Sequence, residues 1–214
     1  MKIIPYSVNS GEKNMQIDED LLINAIKVQS KEVILRFYGW EPACISLGRN
    51  QNNTFIDYEL IKELNIDVVR RLTGGRALLH DKELTYSVVA SEMALRNGKS
   101  IIDSYKEISQ ILINIFNKLG IELEFGNNKA INMKNDYCML LSTGADLCHK
   151  GKKFIGSAQC RKNGYILQHG SILIDYDKEL LEKLFKESIS TDSITSLKEI
   201  NSSITIESIL AASR

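Results

Sequence analysis

Only two prolines, one tryptophan and four cysteines occur in this chain of 214 residues, and its 27 Lys and Arg balance its 27 Asp and Glu. Each scarcity removes a class of protein. With no excess of one charge, no global field argues for nucleic acid or a membrane surface as partner. No apolar run approaches the roughly 18 residues that a membrane span requires. The opening Met1-Lys2-Ile3-Ile4-Pro5-Tyr6-Ser7 has a lysine but neither an extended apolar region nor a small-residue cleavage site, so it does not read as a secretory signal. The cytoplasm is the expected compartment. Cys44, Cys138, Cys148 and Cys160 form no CxxC pair, and a disulfide framework is unexpected in a cytosolic chain of this size. The spacing of Cys138, Cys148, His149 and Cys160 matches no common zinc pattern, so no metal is expected and the cysteines read as free thiols. No Pro/Gly-rich linker, repeat or low-complexity tract divides the chain, which reads as one domain over residues 1–214.

What is present is an ordinary globular composition, 43% apolar and 25% charged, with a clear alternation of periodicities. Residues 18–29 open with acids and continue with apolar residues at helical spacing, predicting a first helix. Val33–Trp40 and Ala43–Gly48 read as strands, and Asp57–Leu64 as a helix. Asp67–Arg71 and Leu84–Ala90 read as strands on either side of a Gly-Gly loop. Ser100–Leu119 is the longest periodic stretch, ended by Gly120. Residues 126–137 are polar and aperiodic and read as a loop. Lys153–Gln159 and Tyr165–Ile174 read as strands joined by a turn at Lys162-Asn163-Gly164, followed by short helices at Leu180–Phe185 and Thr205–Ala212. Strands that do not alternate regularly with helices point to an α+β fold.

The densest chemistry lies in residues 70–87, Arg-Arg-Leu-Thr-Gly-Gly-Arg-Ala-Leu-Leu-His-Asp-Lys-Glu-Leu-Thr-Tyr-Ser. Gly74-Gly75 allows positive φ and close approach of a ligand to backbone N–H groups. Arg70, Arg71 and Arg76 can offer planar, permanently charged donors to a phosphate, carboxylate or polarised carbonyl. A tight turn with solvated arginines is the plainer reading, and Thr73, His80, Asp81 and Tyr86 favour a binding loop over it. A second stretch, Gly151-Lys152-Lys153-Phe154-Ile155-Gly156-Ser157-Ala158-Gln159, carries a lysine into a strand of small residues. There Lys153 can place its ammonium in a cleft, and Gly156, Ser157 and Ala158 suggest close packing against the strand. A Lys-Lys surface turn is the alternative. The third stretch, Gln168-His169-Gly170-Ser171, sets a histidine and a glycine at mid-strand, where a histidine is more often a satisfied core residue than a catalyst.

Together these three stretches, with Arg-Phe-Tyr-Gly-Trp at 36–40 and Ser-Leu-Gly-Arg-Asn-Gln-Asn at 46–52, resemble the lipoate–protein ligase and octanoyltransferase family of the biotin/lipoate ligase superfamily. The resemblance runs over roughly residues 15 to 210. It implies a mixed α/β catalytic domain with a central mixed or antiparallel sheet flanked by helices, binding a medium-chain acyl group in a tunnel. It also implies an amide product on one lysine of a lipoyl carrier, such as glycine cleavage H protein or a 2-oxoacid dehydrogenase E2 domain. Ligases of this family activate free lipoate with ATP and Mg²⁺, whereas transferases take octanoate from acyl carrier protein through a cysteine thioester and need no cofactor. The Thr-Gly-Gly-Arg wording is closest to the cysteine-dependent transferases that work with glycine-cleavage-type carriers, since ligases more often have a third glycine where this chain has Arg76.

By the same resemblance Cys138 occupies the place of the nucleophile, with Cys148 as its rival, although Met139 to Gly144 differ from the Phe, acidic or proline residues that the transferases tend to have. Cys44 and Cys160 read as small buried hydrophobes. Lys153 is the expected cation beside the thiolate and the expected stabiliser of the oxyanion. Arg71, Thr73, Gly74, Gly75, Arg76, His80, Gly156, Ser157, Ala158, His169 and Gly170 are the expected substrate-binding residues. His80 and His169 read as pocket or structural residues before bases, so no clear base emerges for the attacking lysine. Two other functions stay open: an ATP-dependent lipoate ligase, with Arg71, Arg76 and Lys153 on phosphate or acyl-adenylate, and a non-catalytic module that binds lipoyl carriers. The chain ends at Arg214 where related transferases usually run several dozen residues further, so a compact variant or a partner-supplied region is expected.

Overall fold

A computed structural model describes residues 1–126, 137–140, 144–186 and 188–214. Its largest unit is a seven-stranded sheet in the order β1 (Lys2–Asn9), β2 (Ile34–Trp40), β6 (Glu83–Ser91), β10 (Tyr165–Leu173), β9 (Lys152–Lys162), β8 (Leu147–His149) and β7 (Glu124–Phe125). Only the β1–β2 pair is parallel. A three-stranded sheet, β4 (Asp67–Arg70), β3 (Cys44–Leu47) and β5 (Leu78–His80), stands beside it. The α+β expectation holds.

The central strand β6 shows why the two faces of the large sheet differ. All nine of its residues are buried, yet they alternate in chemistry. Leu84, Tyr86 and Val88 join the core under α3 (Ile101–Lys118), against Ile108, Leu112 and Phe116. Successive strand residues point to opposite faces, so Thr85 and Ser87 turn the other way. On that opposite face Val89, with Ile34 and Leu167, packs under Leu22 and Ala25 of α1 (Gly11–Lys27). A second apolar cluster joins β3 and β5 to α2 (Tyr58–Glu63) and α4 (Lys178–Phe185), through Ile45, Leu79, Ile61, Leu181 and Phe185. The short helices α5 (Leu197–Asn201) and α6 (Ile206–Ala212) close the α3 side, where Leu197 and Ile209 enter its core.

The first helix begins seven residues before its predicted start. Ser10 is the N-cap, its hydroxyl accepting from the Lys13 N–H at 3.4 Å. The first turns, Gly-Glu-Lys-Asn-Met-Gln, carry no apolar periodicity and so gave no helical signal. Asp18, read as an opening acid, is a buried mid-helix residue. Strands β1, β5, β7 and β8 were not anticipated; β5, β7 and β8 are too short for a period-2 pattern. The hairpin between β9 and β10 is as expected: Asn163 and Gly164 both have positive φ, 51° and 76°, as a type I′ turn demands. Most of the expected 126–137 loop lies outside the described residues.

Candidate active site

Two rows of cross-strand neighbours cross the polar face of the large sheet. One runs Arg36, Ser87, His169, Ala158; the next runs Tyr38, Thr85, Ser171, Gly156. The second row contributes to the floor of a cavity between the two sheets. Ser46, Leu78 and His80 of the small sheet wall it, with Arg71 and Gly75 of the Gly-Gly loop, while Met15, Tyr38 and Trp40 close one side. Cys138 stands in its lining. Of the expected binding residues, Arg71, Gly75, His80, Gly156, Ser157, Ala158, His169 and Gly170 line this cavity. Thr73 and Arg76 are not in its lining, and Gly74 borders a separate hollow with Arg49, Tyr105 and Cys160.

Cys138 begins a single 3₁₀ turn, Cys138–Leu140, and its N–H is held by the Ala77 carbonyl at 2.9 Å. Lys153, 2% exposed, reaches from β9 to donate to the Cys138 carbonyl at 3.2 Å and pairs with Asp146 at 3.1 Å. Asp146 in turn accepts the Ser157 N–H at 3.2 Å, so one carboxylate sets both the lysine and the strand beside the cavity. Gly156 makes this closeness feasible. A Cβ there would stand 3.0 Å from Met139 Sδ and 3.1 Å from Lys153 Cε. The rival Cys148 is 3% exposed within β8 and is not in the cavity lining. Burial pushes the thiols of Cys44 and Cys160 upward, in keeping with an inert, structural role. The departing residues 141–143 lie outside the described residues.

The loop arginine lines the cavity and has its donors engaged by the backbone and hydroxyls around it. Arg71 donates from Nε to Thr73 Oγ1 at 3.2 Å and from one terminal nitrogen to the carbonyl and hydroxyl of Ser46, at 2.8 and 3.1 Å. Its other terminal nitrogen donates to the carbonyls of Gly74 at 3.0 Å and Arg76 at 2.6 Å. These five bonds match the five donors of a guanidinium. Arg71 therefore fastens the Gly-Gly loop to β3 and shapes the wall, and its charge is turned inward. Burial lowers its pKa. Arg70 likewise holds backbone, at the carbonyls of Gly48, Arg49 and Gln51.

The two histidines are also wall pieces. Thr73 Oγ1 lies 2.7 Å from His169 Nε2, and Asp18 Oδ2 lies 3.4 Å from His169 Nδ1. Arg71 donating to Thr73, Thr73 to Nε2 and Nδ1–H to Asp18 is one consistent chain, and it occupies the lone pair a base would need. Asp18 also binds Arg36 at 2.8 Å, the Tyr38 hydroxyl at 2.8 Å and the Ser87 hydroxyl at 2.8 Å. Burial raises the Asp18 carboxyl, but the hydrogen bond from His169, the charge of Arg36 and the hydrogen bond from Tyr38 outweigh this and hold it low. His80 lies 2.8 Å from Ser46 Oγ and 3.3 Å from Glu83 and stacks on Trp40 with ring centres 3.9 Å apart. Burial lowers its pKa, opposed by Glu83.

Sequence reasoning missed Asp146, Asp18, Ser46 and Glu83. Asp146 follows a Gly-Ala pair with no pattern to mark it. Asp18 was read as a helix-opening acid because the start of α1 was misplaced. Ser46 and Glu83 are revealed only by the packing of the small sheet on the large one.

The fold thus brings a cavity between two sheets together with a cysteine in its lining and a buried lysine bonded to that cysteine's carbonyl. The sequence matches the lipoyl protein ligase A/B catalytic domain over residues 10–213, and the chain belongs to that family. It is 42% identical over 189 residues to octanoyltransferase LipM of Clostridioides difficile, covering 86% of this chain and 69% of that protein. It is 39% identical over 180 residues to octanoyltransferase LipM of Bacillus subtilis, covering 80% of this chain and 64% of that protein. The chain thus spans about two thirds of the length of these relatives. Among solved structures, lipoate–protein ligase A bound with ATP aligns with a TM-score of 0.77 at 22% identity, over 99% of this chain and 81% of that one. A bi-partite lipoate protein ligase of Thermoplasma acidophilum, described with its E2 lipoyl domain, aligns with a TM-score of 0.70 at 20% identity, over 100% of this chain and 81% of that one. At such identities these two likenesses speak to the fold.

Proposed function

We propose that the chain is the catalytic domain of an octanoyltransferase. It moves octanoate from octanoyl-acyl carrier protein to a lysine of a lipoyl carrier domain, through a thioester on Cys138. The observation that carries this reading is the half-buried Cys138 in the cavity lining, its carbonyl tied at 3.2 Å to the buried Lys153. The octanoyltransferase relatives favour it over the ligase alternative.

In the first half-reaction the Cys138 thiolate attacks the donor thioester carbon, and the pantetheine thiol leaves with the proton that Cys138 gave up. In the second, the carrier lysine amine attacks the Cys138 thioester, the amide forms and the cysteine regains a proton. A thioester already holds the reactivity that the amide consumes, so the reaction needs neither nucleotide nor metal. Lys153 favours the thiolate and the oxyanion that forms in each half. Apart from the Ser171 hydroxyl, the polar side chains of the walls are, among the described residues, bonded to one another, which leaves the acyl chain facing mostly satisfied and apolar surface. The acceptor is a lipoyl carrier of the H-protein or E2 type. Among the described residues no helix is long and apolar enough to cross a membrane, and the reaction is assigned to the cytoplasm, where acyl carrier protein resides.

Intact mass spectrometry of the protein with octanoyl-acyl carrier protein, with and without ATP, tests the proposal. One octanoyl group should appear on the wild type without ATP and be absent from Cys138→Ser. Transfer to a lipoyl domain by an enzyme that is never acylated, or only when ATP is supplied, would overturn it.

A further inference from the structure

Among the described residues, the polar side chains of the cavity are turned to one another with one exception. Ser46 is bonded to His80 and Arg71, and Thr85 to Glu83 at 2.7 Å while accepting from the Trp40 indole at 2.8 Å. Tyr38 is bonded to Asp18, His169 to Thr73, and Ser157 to Tyr86 at 2.8 Å. Ser171 also lines the cavity and is fully buried, but among the described residues its hydroxyl has no hydrogen-bond partner. A buried hydroxyl left unsatisfied costs stability, and replacing it by a methyl group would remove that cost. Its position suggests what it is kept for. Ser171 lies directly across the β10–β9 pair from Gly156, and facing Cβ positions on such a pair are about 4.5–5.5 Å apart. The Cβ position of Gly156 is itself 3.4 Å from Lys153 Nζ. Ser171 and Lys153 are therefore both neighbours of Gly156, which lines the cavity together with Ser171 and Cys138.

Resting on the octanoyltransferase reading, the geometry points to Ser171 as a catalytic residue, the neutral donor that pairs with Lys153 on the oxygen of the reacting thioester. When sulfur attacks, the carbonyl electron pair moves to oxygen, and the Ser171 O–H donates to that oxyanion. When the intermediate collapses, the carbonyl re-forms and the thiolate departs. Ser171 neither gains nor loses a proton. The same donor serves the second half-reaction, since Cys138 and the oxyanion position are unchanged.

Single-turnover acylation of Cys138 by octanoyl-acyl carrier protein, followed by intact mass, measures this directly. Ser171→Ala should unfold at the same temperature as wild type or higher, half-saturate at a similar donor concentration and acylate roughly 10²-fold more slowly. Ser171→Thr and Ser171→Val, alike in shape, provide a second comparison: the threonine variant should be the faster by a similar factor. Acylation of Ser171→Ala within about threefold of wild type, or equal rates for the threonine and valine variants, would overturn the assignment and leave the octanoyltransferase reading standing. A wild type that is not acylated would remove both.

Discussion

Lys153 is a buried ammonium, and a buried charge is tolerated when a partner of opposite sign meets it with good geometry. Asp146, 3.1 Å away, is that partner. Removing one member of a buried pair leaves the other charge uncompensated, typically at about 3–5 kcal/mol. Asp146→Asn should therefore lower the unfolding free energy by that order in urea titrations. Adding Lys153→Met should restore much of the stability without restoring acylation of Cys138, which a double-mutant cycle can resolve. His80 makes a second prediction. Burial lowers its pKa below the usual 6.5, so between the two values the unfolded chain binds more protons than the folded one. Its contribution is complete above about pH 6.5 and is lost as pH falls through that window. Asp18, held below 3.8, loses its contribution only in stronger acid. The melting temperature should thus fall between pH 7 and pH 5, and His80→Gln should flatten that slope. An unchanged slope in the variant would refute the assignment.

At the scale of the element, the Gln-His-Gly-Ser strand divides its residues between the two faces of the sheet. His169 and Ser171 face the cavity side, while Gln168 donates to Tyr86 at 3.0 Å and approaches Ser109 of α3. Gly170 was expected to bind substrate, and the structure adds a tighter constraint. A Cβ there would collide with the Gly156 carbonyl and stand 2.7 Å from the Tyr86 ring. Gly170→Ala should cost about 1–3 kcal/mol by overpacking, visible as a lower denaturant midpoint with an unchanged slope. The Gly-Gly loop is likewise an element with a built-in fastener. Arg71 spends its donors on the carbonyls and hydroxyls around it, so the loop reaches the cavity already shaped.

For the whole molecule, the cavity sits at the seam between the large sheet and the small one. An octanoyl chain on Cys138 would bury methylenes between the two, each contributing up to about 0.8 kcal/mol. Purified octanoyl-enzyme should melt several degrees above the free enzyme, since 1 kcal/mol corresponds to about 2–4 °C at this size. An acetyl group on the same cysteine should give little shift. Equal melting temperatures for the octanoyl and acetyl forms would place the chain outside the seam.

Much of this protein was determined locally. The long amphipathic pattern of Ser100–Leu119 became α3, the Asn163-Gly164 pair made its hairpin turn, and the Gly-Gly loop, the Gly156-Ser157-Ala158 segment and the His169-Gly170-Ser171 segment each contribute to the lining of one cavity. Such features are legible because periodicity, turn conformation and side-chain chemistry are properties of neighbouring residues. Partnership is not. That Arg71 ties its loop to Ser46, and that Asp18 joins Arg36, Tyr38, Ser87 and His169, depend on residues far apart in the chain. Only folding brings them within hydrogen-bonding distance, and burial then decides which polar groups are satisfied and which, like the Ser171 hydroxyl among the described residues, stay unpaired.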